Sequence, residues 1–142
     1  MVFKSEAQLK AFLMPKIKAA VADSENEVYE TINSNVDIFY GEFTPKIYDR
    51  VDKLSNALSA TEVMQTGSGA YAEVWFDAGL MDYTTGTWSG ETVLNVAMNS
   101  TVPHGGYAPG TAIWSESVID LIDTEEKMAQ ALRAQGIPIV KG

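Results

Sequence analysis

The segment SEAQLKAFLMPKIKAAVADSENEVYETI, residues 5–32, predicts one long amphipathic helix, and this helix sets the class of the fold. Ser5 followed three positions later by Gln8 is the capping-box spacing of a helix start. Apolar and small side chains then recur at spacings of mostly three and four, the period of an α-helix. This stripe comprises Leu9, Phe12, Leu13, Ile17, Ala20, Val21, Ser24, Val28 and Ile32.

A proline inside this stripe leaves two interpretations open. Pro15 removes one backbone donor and crowds the preceding turn. Either a single helix kinks there, or a short first helix ends and Pro15 begins the next one. In both cases Gly41 ends or loosens the element.

The middle of the chain predicts a second helix followed by a strand hairpin. Thr44 and Pro45 are typical of an N-cap and a first helical residue, and an apolar stripe follows at Ile47, Tyr48, Val51, Leu54 and Leu58. Residues 61–65 and 70–77 favour two strands joined around Gly67-Ser68-Gly69. In the second strand an apolar face alternates with an aromatic and acidic one, which indicates partial exposure or a contact.

The last third predicts short helices separated by a glycine-rich loop. Ser89 or Gly90 caps a short helix that turns Val93, Leu94 and Ala97 inward. Residues 101–110 form a loop of a length that often has a function. Thr124 caps the last helix, which carries Met128, Ala131 and Leu132 and ends before Gly136. The expected fold is a single α+β domain over residues 1–142: a long N-terminal helix, a second short helix, a β-hairpin or small antiparallel sheet, and a C-terminal helix.

Composition excludes several classes of protein. The 142 residues contain no cysteine and one histidine, which excludes disulfide scaffolds, thiolate metal sites and multi-histidine metal sites in one chain. The formal net charge is −9. Binding of nucleic acid by this chain alone is therefore not expected, because such binding depends on neutralisation of the phosphates by basic side chains. No apolar run approaches the roughly 18 residues of a membrane span.

The acidic residues are concentrated in one part of the sequence. No lysine or arginine lies between positions 54 and 126, whereas this window contains ten acidic residues. One interpretation is a solvated face that aids solubility. The other is a surface that repels polyanions or meets a basic partner.

The patterns of common active sites are missing. There is no G-x-S-x-G nucleophile elbow, and the glycines near position 105 are not followed by the lysine of a phosphate loop. Asp77, Asp82 and Glu91 match no calcium loop. We therefore predict that the chain is not an enzyme and has no catalytic residue, cofactor or metal.

Two side chains in predicted loops have more than one interpretation. His104 is a turn histidine bonded to nearby backbone, a contact in an assembly loop, or a metal ligand or base. Trp88 lies in a polar, glycine-rich loop, where an exposed tryptophan indicates a contact that oligomerisation buries.

One motif resembles a known family. The segment Phe39-Tyr40-Gly-Glu-Phe43-Thr-Pro45-Lys-Ile-Tyr48-Asp-Arg50-Val-Asp-Lys-Leu54 is similar to the pattern of two aromatics, a proline and Y-x-R-x-x-x-L in small neck or tail-completion proteins of long-tailed bacteriophages and prophages. His104-Gly105-Gly106 resembles the histidine-glycine element often found downstream in such sequences. The order of predicted elements is similar as well.

The resemblance implies a structural protein of the head–tail junction. Such proteins form rings, commonly hexamers, through which DNA passes without specific binding. The partners would be copies of this chain and neighbouring neck and tail proteins, with assembly in the host cytoplasm and a final location in the virion. The residues assigned to assembly are Phe39, Tyr40, Phe43, Pro45, Tyr48, Arg50, Leu54, Trp88, His104, Gly105 and Gly106.

Other interpretations remain open. The motif itself also suits a packed corner between two helices, with Arg50 bonded to a carboxylate or to carbonyls at a helix end. Glu73, Asp77 and Asp82 are candidates for an acidic channel lining. The alternatives to a connector are another phage structural part, such as a minor capsid or tail-tube protein, a small acidic protein-binding domain, and a hydrolase that uses His104.

Overall fold

The computed structural model describes residues 2–41, 53–81, 90–99 and 113–140. Along the chain these residues form α1 (Glu6–Gly41), α2 (Lys53–Ala57), β1 (Leu58–Ala60), β2 (Met64–Gln65), β3 (Ala70–Tyr71), β4 (Val74–Phe76), a 3₁₀ helix (Ala78–Met81), α3 (Gly90–Asn99), α4 (Ile113–Asp120) and α5 (Thr124–Ala134). This mixture of helices and small paired strands confirms the predicted α+β class.

Helix α1 is continuous through its proline. It spans 36 residues with Pro15 inside it, so the alternative of a separate short first helix is wrong. The Ser5 hydroxyl accepts a hydrogen bond from the Gln8 amide at 3.2 Å, and the Gln8 side chain accepts one from the Lys4 amide at 2.9 Å. Proline deletes one intrahelical hydrogen bond, and the packing of the helix beyond it outweighs that loss.

The chain divides into two compact units. Unit 1 consists of residues 1–27, 60–73 and 123–142, and unit 2 of residues 28–59 and 74–122. Helix α1 contributes its first part to unit 1 and its second part to unit 2. The expectation of one domain over residues 1–142 stays a prediction.

Unit 1 pairs the first part of α1 with α5 in antiparallel order. The Lys16 ammonium donates to the Gln135 carbonyl oxygen at 2.7 Å, and the buried Ser24 hydroxyl donates to the Met128 sulfur at 3.4 Å. Lys16 contacts residue 135, whereas Ser24, which is later in α1, contacts residue 128, which is earlier in the chain. The two helices therefore run in opposite directions. Lys16 also places a cation at the carbonyl end of α5, where the helix dipole favours positive charge.

The end of α5 is set by a glycine. The Gly136 amide donates to the Arg133 carbonyl, and the Ile137 amide donates to the Leu132 carbonyl. These are the two bonds of a Schellman motif, and Gly136 has the positive φ of 79° that this motif requires. Gly136 therefore follows the helix as predicted. The residue at the N-cap is Asp123, one position before the predicted Thr124, and it makes no side-chain capping bond.

The strand hairpin of unit 1 is irregular. Met64 pairs with Tyr71 and Gln65 with Ala70 in antiparallel register, whereas the Thr61 amide bonds to the Glu73 carbonyl. Two residues thus separate the paired positions on the first strand and one residue separates them on the second, which is a β-bulge. The predicted strands over 61–65 and 70–77 are correspondingly shorter and interrupted.

Unit 2 contains the hydrophobic core that the structure describes most fully. Helices α1, α2 and α4 and the 3₁₀ helix bury Val36, Phe39, Leu54, Ala57, Met81 and Ile113, and Tyr40, Phe76, Leu94 and Met98 pack against them. Burying each large apolar side chain contributes roughly 1.5–3 kcal/mol before the cost of ordering the chain.

Strand β1 corrects the predicted second helix. Strand β4 pairs with β1, and the Asp77 amide beyond β4 donates to the Ala57 carbonyl at 2.8 Å. Leu58 lies in β1, although the apolar stripe placed it in the helix. In a longer helix the Ala57 carbonyl would accept a hydrogen bond from an amide four residues further on. It accepts the Asp77 amide instead, so helix α2 ends at Ala57.

Helix α3 begins in contact with the 3₁₀ helix. Gly90 is buried, and a Cβ atom there would overlap the Ala78 carbonyl oxygen and crowd Met81. Only glycine allows this approach of backbone to backbone. The start of α3 agrees with the predicted start at Ser89 or Gly90, and Leu94 is half-buried against the core.

Candidate assembly surface

Three residues of the aromatic motif meet in the core of unit 2. Phe39 and Leu54 are buried in the same cluster, and the Tyr40 hydroxyl oxygen accepts hydrogen bonds from the amides of Leu54 at 3.1 Å and Ser55 at 3.3 Å. Amides in the first turn of a helix have no partner within the helix. Tyr40 therefore holds the start of α2 against the end of α1, and these three side chains serve packing within the unit.

The other assembly residues assigned from the sequence are not among those that the structure describes. They lie outside the described residues and comprise Phe43, Pro45, Tyr48, Arg50, Trp88, His104, Gly105 and Gly106. Asp82, one of the three candidates for a channel lining, lies outside them as well.

The remaining channel candidates lie in different units. Glu73 is exposed in unit 1, where its amide donates to the Thr61 hydroxyl at 2.9 Å. Asp77 is half-buried in unit 2, and its carboxylate accepts the Gly79 amide at 2.9 Å. Because Asp77 precedes the 3₁₀ helix, this bond caps the first turn. The Asp77 carboxylate thus has a structural role, independent of any role in a channel lining.

Helix α4 exposes an apolar face that the sequence analysis did not predict. Trp114 is 56% exposed and Val118 is 53% exposed, and Ile122, just beyond the helix, is 80% exposed. These positions are four residues apart, so they follow one side of the helix. Ile119 is exposed as well. We call the set Trp114, Val118, Ile119 and Ile122 the α4 face. The signal for this face in the sequence is the four-residue spacing of Trp114, Val118 and Ile122.

A buried polar cluster holds α4 from its opposite side. The Asn35 amide nitrogen donates to the Ser117 hydroxyl oxygen at 3.1 Å and to an Asp120 carboxylate oxygen at 3.0 Å. Asn35 and Ser117 are 3% and 2% exposed, and buried polar groups are costly without such partners. Together with the buried Ile113, these bonds determine which side of α4 turns outward.

The α4 face has one acidic neighbour and no basic one. Residues 113–122 contain no lysine, arginine or histidine; Glu116 is exposed three residues before Ile119, whereas Asp120 is bonded to Asn35 on the opposite side. Monomeric proteins rarely expose large contiguous apolar patches, and patches rimmed by polar residues commonly mark interaction sites. The chemistry of this surface suits a partner with apolar contact area and positive charge.

The described residues offer little for other chemistry. Within the described ranges, no three histidine or acidic side chains come together in a way that could hold a metal ion. No helix in that part of the chain combines the length and apolar character needed to cross a lipid bilayer. Comparison with protein-family models, with curated proteins and with solved structures finds no match for this chain.

Proposed function

We propose that this chain is a non-enzymatic structural protein of a bacteriophage head–tail connector or tail-completion ring. In this role copies of the chain surround the channel through which DNA passes and join neighbouring neck and tail proteins. The observation that carries the proposal is the exposed α4 face, which occurs in a chain whose aromatic motif resembles that of such proteins. Interfaces between identical subunits have more apolar cores than the rest of the protein surface.

The anchoring of α4 supports this reading. An interface contact is tighter when its side chains are already held in the bound orientation, because less conformational entropy is lost on binding. Asn35 bonds two residues of α4 from inside the unit, so the outward face is fixed before any partner arrives. A surface built in this way suits permanent assembly.

The charge of the chain is compatible with DNA passage. The sequence contains 19 acidic and 10 basic residues. A polyanion is repelled by a surface of the same sign, so a ring of such chains would let the genome slide without binding it. A strongly basic lumen would instead retain DNA through counterion release.

A small acidic protein-binding domain is the second candidate. The same α4 face, with the exposed Glu116 beside it, favours a basic partner protein without requiring a ring. The two candidates differ in self-association and in genomic context. A connector should oligomerise with itself or on its neighbours, whereas a binding domain should remain a monomer with one partner.

Two experiments test the connector role. The genes on either side of this one should encode portal, capsid or tail-tube proteins. The purified chain, alone and mixed with the products of those genes, should form closed rings in native mass spectrometry and negative-stain electron microscopy. A chain that stays monomeric in both settings and is absent from purified virions would contradict the proposal, as would substrate turnover that disappears in the variant His104→Ala.

A further inference from the structure

Unit 1 has an open groove of a kind that can receive a helix face. The groove lies between α1 and the tip of the hairpin, has a volume of about 550 Å³, and is lined by Lys10, Ala11, Met14, Pro15, Lys18, Gln65, Thr66 and Gly67. Its apolar residues come from α1, and a lysine stands toward each end of that stretch. Clefts of about 300–1,000 Å³ are large enough to bury side chains of a bound partner.

The groove and the α4 face carry opposite charge. Residues 4–18 contain four lysines and one glutamate, a formal charge of 4 − 1 = +3, whereas residues 113–122 contain two acids and no base, a charge of −2. Lys10 forms an exposed ion pair with Glu6 at 2.8 Å. Exposed pairs of this kind contribute little stability, so Lys10 can exchange its partner for an acid from another molecule.

A second apolar patch lies on the opposite side of α1 from the groove. Leu9 and Phe12 belong to the stripe that predicted the helix, yet both are exposed, at 37% and 39%. Phe12 stacks at a tilt on Phe3, with ring centroids 5.3 Å apart, and Lys16 lies over its ring. Leu9 and Phe12 lie about half a turn around the helix from Ala11 and Met14, so this patch is separate from the groove wall.

We propose that the α4 face of one copy of this chain docks in the α1 groove of a second copy, with Trp114 as the anchor. This inference rests on the proposed ring, whose subunit contact it identifies. Amphipathic helices commonly bind grooves through apolar side chains one turn apart, and tryptophan is enriched among residues that dominate interface energy. Glu116, which is exposed three residues before Ile119, would face Lys10 and Lys18, whereas Asp120 stays bonded to Asn35 inside the unit.

The pattern of charge favours a head-to-tail contact. Two α4 faces packed on each other would bring the two copies of Glu116 to one interface with no basic residue between them, and like charges across an interface are costly. A contact between two different surfaces leaves one free copy of each surface on every dimer. Such a heterologous contact propagates, and it closes into a ring when its rotation allows. This is the geometry that the proposed function requires.

Cysteine cross-linking tests the contact directly, because the chain contains no cysteine of its own. Ser115→Cys is on exposed α4 beside Trp114, and Ala11→Cys is in the groove wall. A mixture of the two single variants, treated with a short bismaleimide, should yield a covalent heterodimer. The matched control replaces Ala11→Cys with Gln130→Cys, an exposed position on α5, and should yield none.

The outcomes separate the possibilities. Cross-linked heterodimer in the mixture, absent from each variant alone, supports the head-to-tail contact. Homodimer from Ser115→Cys alone would overturn it in favour of two α4 faces in contact. No product at any concentration, including inside rings assembled with neighbouring proteins, would also overturn it.

Substitutions then measure its strength. Trp114→Ala should weaken self-association by about thirtyfold, the effect of an interface hot spot. Glu116→Lys and the pair Lys10→Glu with Lys18→Glu should each weaken it by about tenfold, and mixing the two charge-reversed chains should restore part of the loss. A loss from Glu116→Lys that the reversed groove does not relieve would contradict the pairing of these surfaces.

The contact and the ring can fail separately. If rings form but neither cysteine mixture cross-links, the connector role stands and this contact is wrong. If the cross-linked heterodimer forms but larger assemblies are open filaments that virions do not contain, the contact stands and the connector role is wrong.

Discussion

The phenolic oxygen of Tyr40 lies 3.1 Å from the amide nitrogen of Leu54 and accepts its hydrogen. The same oxygen accepts the amide of Ser55. One side chain near the end of α1 thus satisfies two amides at the start of α2, where a short helix has no internal partner for them. This contact gives the aromatic motif a structural role that can be measured.

Tyr40→Phe should lower the free energy of unfolding of unit 2 by about 1–2 kcal/mol, since it removes the acceptor and leaves two partly buried amides unpaired. Amide hydrogen exchange should accelerate at Leu54 and Ser55 before it does so elsewhere. The control is Tyr29→Phe, on the same helix and also half-buried, where we expect a change of less than about 0.5 kcal/mol. Unchanged exchange at both amides would argue against the bond.

Asn35→Ala should destabilise unit 2 by about 2–3 kcal/mol, because it deletes two hydrogen bonds and leaves the Ser117 hydroxyl buried without that donor. Asn35→Asp should cost more at neutral pH, where a second carboxylate would stand beside that of Asp120 and repel it. That extra cost should shrink as the pH falls and the new carboxyl is protonated. Chemical denaturation at several pH values would measure both effects, and equal curves for the two variants would contradict the geometry.

Gly136→Ala should destabilise α5 by about 1–2 kcal/mol, the cost of a left-handed conformation for a residue with a Cβ atom. A Cβ there would meet no atom within 4 Å, so the cost is conformational and not steric. Gly136→Asn should be milder, since asparagine tolerates this region. The matched control is Gly41→Ala, which has the same open surroundings without a positive φ and should not destabilise the protein. Thermal unfolding would compare all three variants.

The Glu27 carboxylate raises the pKa of Lys127 above its usual value of 10.5, mainly because it accepts a hydrogen bond from the ammonium group. Desolvation of Lys127 lowers the pKa, and the charge attraction of Glu27 raises it further. A raised pKa means that the folded chain holds the proton more tightly than the unfolded chain. The pair therefore contributes a constant stability below pH 10.5 and loses it as the pH rises through the folded pKa.

Comparison of the wild type with Lys127→Met between pH 7 and pH 12 should show this behaviour. The difference in stability should be flat at first and then decrease in alkali. Glu27→Gln removes the main partner and should reduce the alkaline decrease, while the weaker attraction of Asp123 remains. A difference that grows with pH would have the wrong sign.

Neutralisation of the channel candidates should slow genome release in a phage that carries this gene. The triple variant Glu73→Gln, Asp77→Asn, Asp82→Asn removes negative charge, and a less repulsive lumen should retain DNA longer. Asp77→Asn keeps an oxygen that can accept the Gly79 amide, so the cap of the 3₁₀ helix is preserved.

The control neutralises three exposed or half-buried acids of α1, with Asp23→Asn, Glu25→Gln and Glu30→Gln. It changes the net charge equally but lies outside the window that lacks basic residues. Ejection at the wild-type rate in the first variant, or equal slowing in both, would count against a lumen position for Glu73, Asp77 and Asp82.

Signals between near neighbours in the sequence were enough for the long helix, the turn at Gly67 and the end of α5. The Gln8 amide donates to the Ser5 hydroxyl, and the Lys4 amide donates to the Gln8 side chain. Gly136 has the positive φ that the Schellman motif requires. Such contacts join residues within about one turn, so the order of residues alone specifies them. The end of α2 was misplaced because the Ala57 carbonyl bonds to Asp77, twenty positions away.

Only the tertiary structure shows which side of α4 is exposed. The periodicity of a sequence indicates which side chains share a face of a helix, but it does not indicate which face another element covers. Leu9 and Phe12 lie on a stripe of the kind that is normally buried, yet they are exposed, whereas the polar Asn35 is buried against Ser117, which lies 82 positions further along. The burial of a face depends on the element that packs against it, and that element comes from a distant part of the chain.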